Sequence, residues 1–395
     1  MDSDIFSTEL ESLREKNLYR EIKLFESMDG RSATIDGSSY LVFCSNDYLG
    51  LSRHPDVLDG IREGLEKYGG GSGASRLVSG SVSPHRMLED SIAEFMSLDA
   101  ALLFSSGYMA NFGIIPALIG KGDQIFGDRL NHASLVDGCL LSRAEFKRYP
   151  HNDMNSLERM LQKTRSAKGR RWIVTDGLFS MDGDMAPLDQ IVDLAKKYDA
   201  GIYLDDAHAF GILGENGRGT PEHFGVEGKI DIYVGTLGKA AGLCGAFVCG
   251  SKSMVNYLTN KARTLIFSTS LPPAIALGAV KAVSLLKSSP DLRHSFMEGV
   301  EQFHRELAGI GLDVPSKSYI IPLLTGNAAS ALDAEKVFWE EGVFIQAIRP
   351  PTVPEGGSRL RLTLSANQNF EDREKVLKII EKNCVLFKKD LEIGD

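Results

Sequence analysis

The sequence predicts an α/β protein: a large domain on a mostly parallel central sheet, followed by a smaller α+β domain. Three observations carry this. Short β-rich runs alternate with helix-period segments through the middle of the chain. The pattern changes from about Ala276 onward. A length of 395 residues, 43% of them hydrophobic, suffices for a large core and for two or three domains.

The chain opens on MDSDIFSTELESLREKN, an acidic and polar segment that reads neither as a secretory signal nor as an Arg-rich transit peptide. Candidate strands follow at 101–105, 124–127, 172–176, 202–205, 232–235 and 246–249. Between them lie amphipathic patterns such as Leu88, Ile92, Phe95 and Leu188, Ile191, Leu194. Strands separated by helices imply parallel pairing, because each parallel connection needs a crossover. In such sheets ligands bind beyond the carboxyl ends of the strands. From about Ala276 a long helix is expected through Ala279, Val280, Val283, Leu285 and Leu286. Weaker strands follow near 320–324 and 359–364, then a closing helix with Val376, Ile379, Ile380, Cys384 and Phe387 on one side.

A net charge of −9 with no basic block disfavours a nucleic-acid partner. No apolar run is long enough for a membrane span; the nearest, Tyr108 to Ile119, is broken by Asn111, Gly113 and Pro116. Five scattered cysteines suit reduced thiols in a cytoplasmic protein, and none completes a metal site.

Three strand ends could carry chemistry. Phe104-Ser105-Ser106-Gly107-Tyr108 runs from a strand into a helical pattern, and the free N–H groups there suit a phosphate; a plain N-cap is the alternative. Gly201-Ile202-Tyr203-Leu204-Asp205-Asp206-Ala207-His208 closes an apolar strand with two carboxylates and an imidazole. A buried carboxylate needs a cation, so a metal site, a salt bridge and a helix cap are all open. A ligand-facing role ranks above a cap, and neighbouring strands supply no further His or Glu for a metal. The third is Thr236-Leu237-Gly238-Lys239-Ala240. It lacks both the glycine spacing and the hydroxyl after lysine of a nucleotide P-loop. A surface lysine on a glycine-rich turn stays open, but small neighbours also suit a lysine that forms a Schiff base. A phosphate site, a strand-end aspartate and a later lysine together describe a cradle for pyridoxal phosphate.

The chain resembles the α-oxoamine synthase group of pyridoxal-phosphate enzymes, of aspartate aminotransferase-like fold type I. The resemblance runs from about Leu18 almost to the C-terminus. It rests on SNDYLGL (45–51), GSGASRLVSGS (71–81), SSGYMAN (105–111), DRLNHASLVDG (128–138), FSMDGDMAPL (179–188), YLDDAHAFGILGENGRG (203–219), TLGKA (236–240) and IFSTSLPP (266–273). Within the group, AIRPPTVPEGGSRLRLTLSA (347–366) resembles the branch that joins L-alanine to pimeloyl-CoA or a pimeloyl-carrier protein. Glycine C-acetyltransferase, 5-aminolevulinate synthase and a non-catalytic scaffold subunit are the alternatives.

The resemblance implies that Lys239 carries pyridoxal 5′-phosphate as a Schiff base and moves the substrate's α-proton. It implies that Asp205 meets the ring nitrogen, that His208 and Ser180 serve the ring oxygen, and that His132 stacks on the ring. Gly107, Tyr108 and Thr236 are expected around the cofactor, with Ser106 a lesser phosphate candidate. Thr269 and the GSGAS segment are expected to reach a neighbouring active site, which implies a homodimer. Arg20, Asn46, His132, Thr352 and Arg361 are expected at the substrates. Arg361 is preferred as the carboxylate clamp because its planar fork matches two oxygens, with Arg349 and Arg359 as rivals. The implied domains are 1–45, packing with the small domain, 46–275 for the cofactor, and 276–395.

Overall fold

The structure is a computed structural model that describes residues 3–164 and 168–387. The chain forms two compact units. The small one takes the chain up to Tyr48, the short excursion Met181–Asp184, and everything from His294 onward. The large one takes Leu49–Ser180 and Met185–Arg293.

The small unit begins with helix α1 (Ser3–Glu15) and strands β1 (Ser27–Met28), β2 (Ser32–Ile35) and β3 (Ser38–Val42), paired antiparallel in sequence. The large unit follows with helices α2 (Pro55–Tyr68), α3 (Ser83–Met96), α4 (Gly107–Leu118) and α5 (Ala133–Ser142). Its strands are β4 (Ala100–Phe104), β5 (Gln124–Asp128), β6 (Glu145–Tyr149), β7 (Arg171–Asp176), β8 (Ala200–Asp205), β9 (Ile232–Thr236) and β10 (Ala246–Gly250). They form one sheet in the order β4-β10-β9-β8-β7-β5-β6. Strands β5 to β9 are parallel, as the strand–helix alternation predicts, while β10 runs antiparallel to both β9 and β4.

The six strands expected between 101 and 249 all form; β6 is an additional edge strand. Ile125, Val174, Tyr203, Val234 and Val248 of the sheet pack with Ala110, Ile114 and Ile115 of α4 in one apolar cluster. That packing fixes the first turn of α4 near the carboxyl ends of the parallel strands. The helix Pro273–Ser288, expected with the small domain, lies in the large unit because its backbone packs tightly on α2. A Cβ added to Gly64 would come within 2.4 Å of Ala274 Cα, so only glycine permits that approach.

The small unit resumes with β11 (Ile320–Gly326), β12 (Val343–Phe344), β13 (Ala347–Ile348) and β14 (Ser358–Thr363). β14 lies between β11 and β13, antiparallel to both, and β12 adds parallel to β3. The closing helix Phe370–Lys382 starts on an Asn369–Asp372 capping box, and Arg31 grips Asp372 at 2.6 and 2.7 Å. The last residues assigned to this domain from sequence, 388–395, lie outside the described residues. Among the described residues, no helix is long and apolar enough to cross a membrane.

Candidate active site

Strands β7 and β8 pair in register, so Asp176 stands beside Asp205 at the carboxyl edge. Both are buried. Asp205 Oδ1 accepts from the Ala207 N–H at 3.0 Å and Oδ2 from Asn111 Nδ2 at 2.5 Å. Asp176 accepts from the His132 N–H at 2.7 Å. Burial and the neighbouring Asp205 carboxylate hold the Asp176 carboxyl well above the usual range, against the pull of that N–H and of Lys239. Two buried acids side by side call for positive charge, and Lys239 is close enough to act on both Asp176 and His132. The next residue, Asp206, faces the fold: it accepts from Thr220 N–H at 2.8 Å, Thr220 Oγ1 at 2.6 Å and Tyr233 Oη at 3.1 Å.

His132 caps α5, its Nδ1 accepting from the Ser134 N–H at 3.2 Å and lying 2.7 Å from Ser134 Oγ. The residue as a whole is exposed, but its Nδ1 contacts are partly buried. Crowding by the surrounding protein and the Lys239 ammonium nevertheless lower its pKa, against Asp205 and Asp137, so it is neutral at pH 7.

Lys239 sits on the connection between the antiparallel strands β9 and β10. Its carbonyl accepts from the Gly242 N–H at 2.8 Å, closing a turn, and the residue is half-buried. Gly242 has φ +71°, and a Cβ there would meet the Ser52 backbone at 2.2 Å. Thr236 Oγ1 donates to Gly245 O at 3.0 Å and accepts from the Gly238 N–H at 3.1 Å, so this hydroxyl braces the turn. His208 is buried two residues beyond the Asp205–Asp206 pair, and Ser180 is half-buried.

Gly107 begins α4, capped by Ser106 Oγ, which accepts from the Met109 N–H at 3.3 Å. No atom lies within 4 Å of where a Gly107 Cβ would stand. Tyr108, exposed, donates to Asp137. The two segments expected to serve a neighbouring site are fastened together. Ser72 Oγ donates to Ser270 O at 3.1 Å and Leu271 O at 2.7 Å, and Ser75 bridges the exposed Thr269.

The small unit holds the predicted substrate residues other than His132, in two places. On β14, Arg359 and Arg361 are buried on one face of the strand. Arg361 donates to Asn46 Oδ1 at 3.1 Å and Tyr48 Oη at 3.4 Å, whereas Arg359 is paired with Asp182. Arg20, Thr352 and the rival Arg349 line a groove of about 540 Å³ with Tyr19 and Glu335. Arg20 grips Pro350 O at 2.7 Å, and Arg349 in return grips the carbonyls of Asn17 and Tyr19. Arg349 Nε is buried without a hydrogen-bond partner.

Asn111, Ser134, Asp176 and Tyr203 join the large unit's cluster without having been singled out from sequence. Asp176 carried a usable signal: WIVTD, like IYLD, is an apolar strand closing on aspartate.

These residues fit pyridoxal phosphate. The acid pair suits a protonated ring nitrogen, the Lys239 amine an aldehyde, and the open α4 N-terminus a phosphate. Fold and site together define a pyridoxal-phosphate-dependent enzyme of aspartate aminotransferase-like fold. The chain belongs to the aminotransferase class I and II family, which matches residues 38–380, and within it to the 8-amino-7-oxononanoate synthases. It is 49% identical over 380 residues to the 8-amino-7-oxononanoate synthase of Citrifermentans bemidjiense, covering 95% of this chain and 97% of that protein. The enzyme of the same name from Geobacter sulfurreducens is 50% identical over 373 residues, 93% of this chain and 95% of that one. Among solved structures, a serine palmitoyltransferase variant from S. paucimobilis with a bound PLP–myriocin aldimine superposes with a TM-score of 0.92 at 30% identity, over 97% of this chain and 98% of that one. The 8-amino-7-oxononanoate synthase of Francisella tularensis gives 0.76 at 32% identity, over 88% and 98%.

Proposed function

We propose that this chain is an acyltransferase that condenses L-alanine with a pimeloyl thioester, of coenzyme A or of a carrier protein, to give 8-amino-7-oxononanoate in biotin biosynthesis. The observation that carries this reading is the 49% identity, over 95% of the chain, to an enzyme of that name. The net reaction joins the α-carbon of alanine to the thioester carbonyl carbon, breaks the C–S bond to free the thiol, and releases carbon dioxide. A proton returns to the α-carbon.

Bound pyridoxal phosphate supplies an electron sink next to the amino acid's α-carbon. Lys239 holds the cofactor and then moves the α-proton at Nζ, with Gly238 and Ala240 beside it leaving room for the arm to swing. Asp205 would pair with the cofactor's ring nitrogen and favour its protonated form. His208 and Ser180 would steady the cofactor's ring oxygen, Gly107, Tyr108, Thr236 and Thr269 would border it, and His132 would lie against its ring. Arg361, beside Asn46, clamps the amino-acid carboxylate; Arg20 and Thr352 hold the acyl donor. Arg359 is the weakest rival clamp, since Asp182 already pairs with it.

The active unit in this reading is a homodimer. The exposed Leu77, Val78, Tyr108 and Phe267 lie in or next to the GSGAS, α4 and Thr269 segments, the parts expected to meet a partner.

A second reading, a synthase for a different amino acid and acyl chain, draws on the likeness to serine palmitoyltransferase. One panel separates them: purified protein loaded with pyridoxal phosphate, offered L-alanine, L-serine or glycine with pimeloyl-, palmitoyl-, succinyl- or acetyl-CoA. Thiol and carbon dioxide release should be greatest with L-alanine and pimeloyl-CoA. Preference for any other pair overturns the first reading.

A further inference from the structure

Asn111, fully buried on α4, makes hydrogen bonds that leave its carboxamide no choice of orientation. Tyr203 Oη donates to its Oδ1 at 2.7 Å. Its Nδ2 has two hydrogens, and they point at Asp205 Oδ2, 2.5 Å away, and Ser134 Oγ, 2.9 Å away. Reversing the amide would set its carbonyl oxygen against the Asp205 carboxylate, acceptor to acceptor in a buried place.

The consequence passes to Ser134 and then to His132. Because Ser134 Oγ accepts from Asn111, its own proton is directed at His132 Nδ1, 2.7 Å away. The Ser134 N–H points at the same nitrogen from 3.2 Å. With two donors aimed at Nδ1, the proton of the neutral imidazole resides on Nε2.

We propose that Asn111 is a positioning residue: through Ser134 it holds His132 as the Nε2–H tautomer, and through Nδ2 it holds the Asp205 carboxylate in place for a ring nitrogen. His132 then presents a donor, not a base, to whatever lies against it. The Asp205 half rests on the functional reading above. The tautomer half does not.

The experiment uses protein labelled with [15N]histidine, with and without pyridoxal phosphate. Long-range 1H–15N correlation reports the tautomer, and loss of signals in His132→Asn identifies the ring. The wild type should show unprotonated Nδ1 and protonated Nε2. Asn111→Leu, similar in volume, should give a mixture of tautomers and bind pyridoxal phosphate about 10- to 100-fold more weakly, from loss of a hydrogen bond to a charged group. It should also shift the pH midpoint of the bound cofactor's visible band. A wild-type His132 protonated on Nδ1 overturns the proposal. So does a folded Asn111→Leu with wild-type tautomer and wild-type cofactor affinity. If that variant does not fold, Ser134→Ala decides, since Nδ1 is then left with the longer backbone contact alone; an unchanged tautomer population there overturns the relay. A wild type that has the Nε2–H tautomer yet takes up no pyridoxal phosphate supports the relay and overturns the functional reading.

Discussion

At the strand ends of the large unit, two neighbouring aspartates, Asp205 and Asp206, are buried in succession; on β14 of the small unit, Arg359 and Arg361 are buried on one face. In each pair one charge is committed to the fold. Asp206 takes three hydrogen bonds from Thr220 and Tyr233, and Arg359 pairs with Asp182. The other member is held differently. Asp205 takes one hydrogen bond on each oxygen, from Ala207 and Asn111, and Arg361 donates to the neutral groups of Asn46 and Tyr48. A carboxylate oxygen has room for more than one donor, so Asp205 keeps capacity for a ligand. A buried carboxylate is stabilised by a neighbouring cation, so the Asp205 end of the large unit suits a cationic group. Within the small unit, the Arg361 fork has the planar geometry that matches a carboxylate's two oxygens.

The largest effect should come from removing the cation beside the acids. Lys239→Ala should lower turnover by roughly 10⁴-fold or more, since it removes both the covalent anchor and the proton carrier. It should also abolish the yellow absorbance of the protein with pyridoxal phosphate. A variant that kept either property would remove Lys239 from the mechanism.

The aspartate pair comes next. Asp205→Asn should cut kcat by about 10²- to 10³-fold, as expected for a buried electrostatic partner, while the melting temperature of the cofactor-free protein changes little. Asp206→Asn should do the reverse, costing about 1–3 kcal/mol of stability through a mismatched buried hydrogen bond. Equal effects of the two on kcat would dissolve the distinction between them.

The arginine pair gives the smaller version of the same contrast. Arg361→Lys keeps the charge but loses the fork, and should raise KM for the amino acid about 10- to 100-fold. Arg359→Met leaves Asp182 buried without its partner and should destabilise the protein by about 3–5 kcal/mol. An Arg359→Met protein of normal stability and raised KM would exchange their roles.

Why Asp205 and Lys239 stand out in the sequence while residues beside them in space do not is itself physical. Asp205 and Lys239 follow strands whose apolar runs announce burial, so their charge stands out locally. Asp176 ends a strand of the same form, but its importance comes from lying beside Asp205, and that register exists only once the strands pair. Asn111 reads as a polar break in an apolar helix until the fold sets Tyr203, Ser134 and Asp205 around it. Edge strand β6, EFKRY, is only partly covered, so it lacks the apolar run that marks the inner strands. The helix Pro273–Ser288 looked continuous with the tail because close packing on Gly64 leaves no mark in the helix's own pattern.

The smallest expected effect compares the units through their buried histidines. In the large unit His85 is fully buried, its Nδ1 accepting from the Val82 N–H at 3.1 Å and its Nε2 donating to Leu271 O at 2.7 Å. In the small unit half-buried His304 donates to Ser318 O at 2.7 Å. Burial lowers the pKa of both. Each folded pKa therefore lies below the unfolded value of about 6.5, and the unfolded chain binds more protons as pH falls beneath it. The stability each histidine protects is present above that value and lost as pH drops through the window below it. The raised carboxyls of Asp176 and Asp206 act in the opposite sense, so the wild-type slope alone decides nothing. The measurement is a difference: melting temperature against pH from neutral to mildly acid, in the wild type, His85→Gln and His304→Gln. His85→Gln should start lower at neutral pH and fall less on acidification, because protonating His85 would set a new N–H against that of Val82. His304→Gln should flatten the curve less, since its ring is only half-buried. Wild-type slopes in both variants would mean that neither histidine couples its unit to pH.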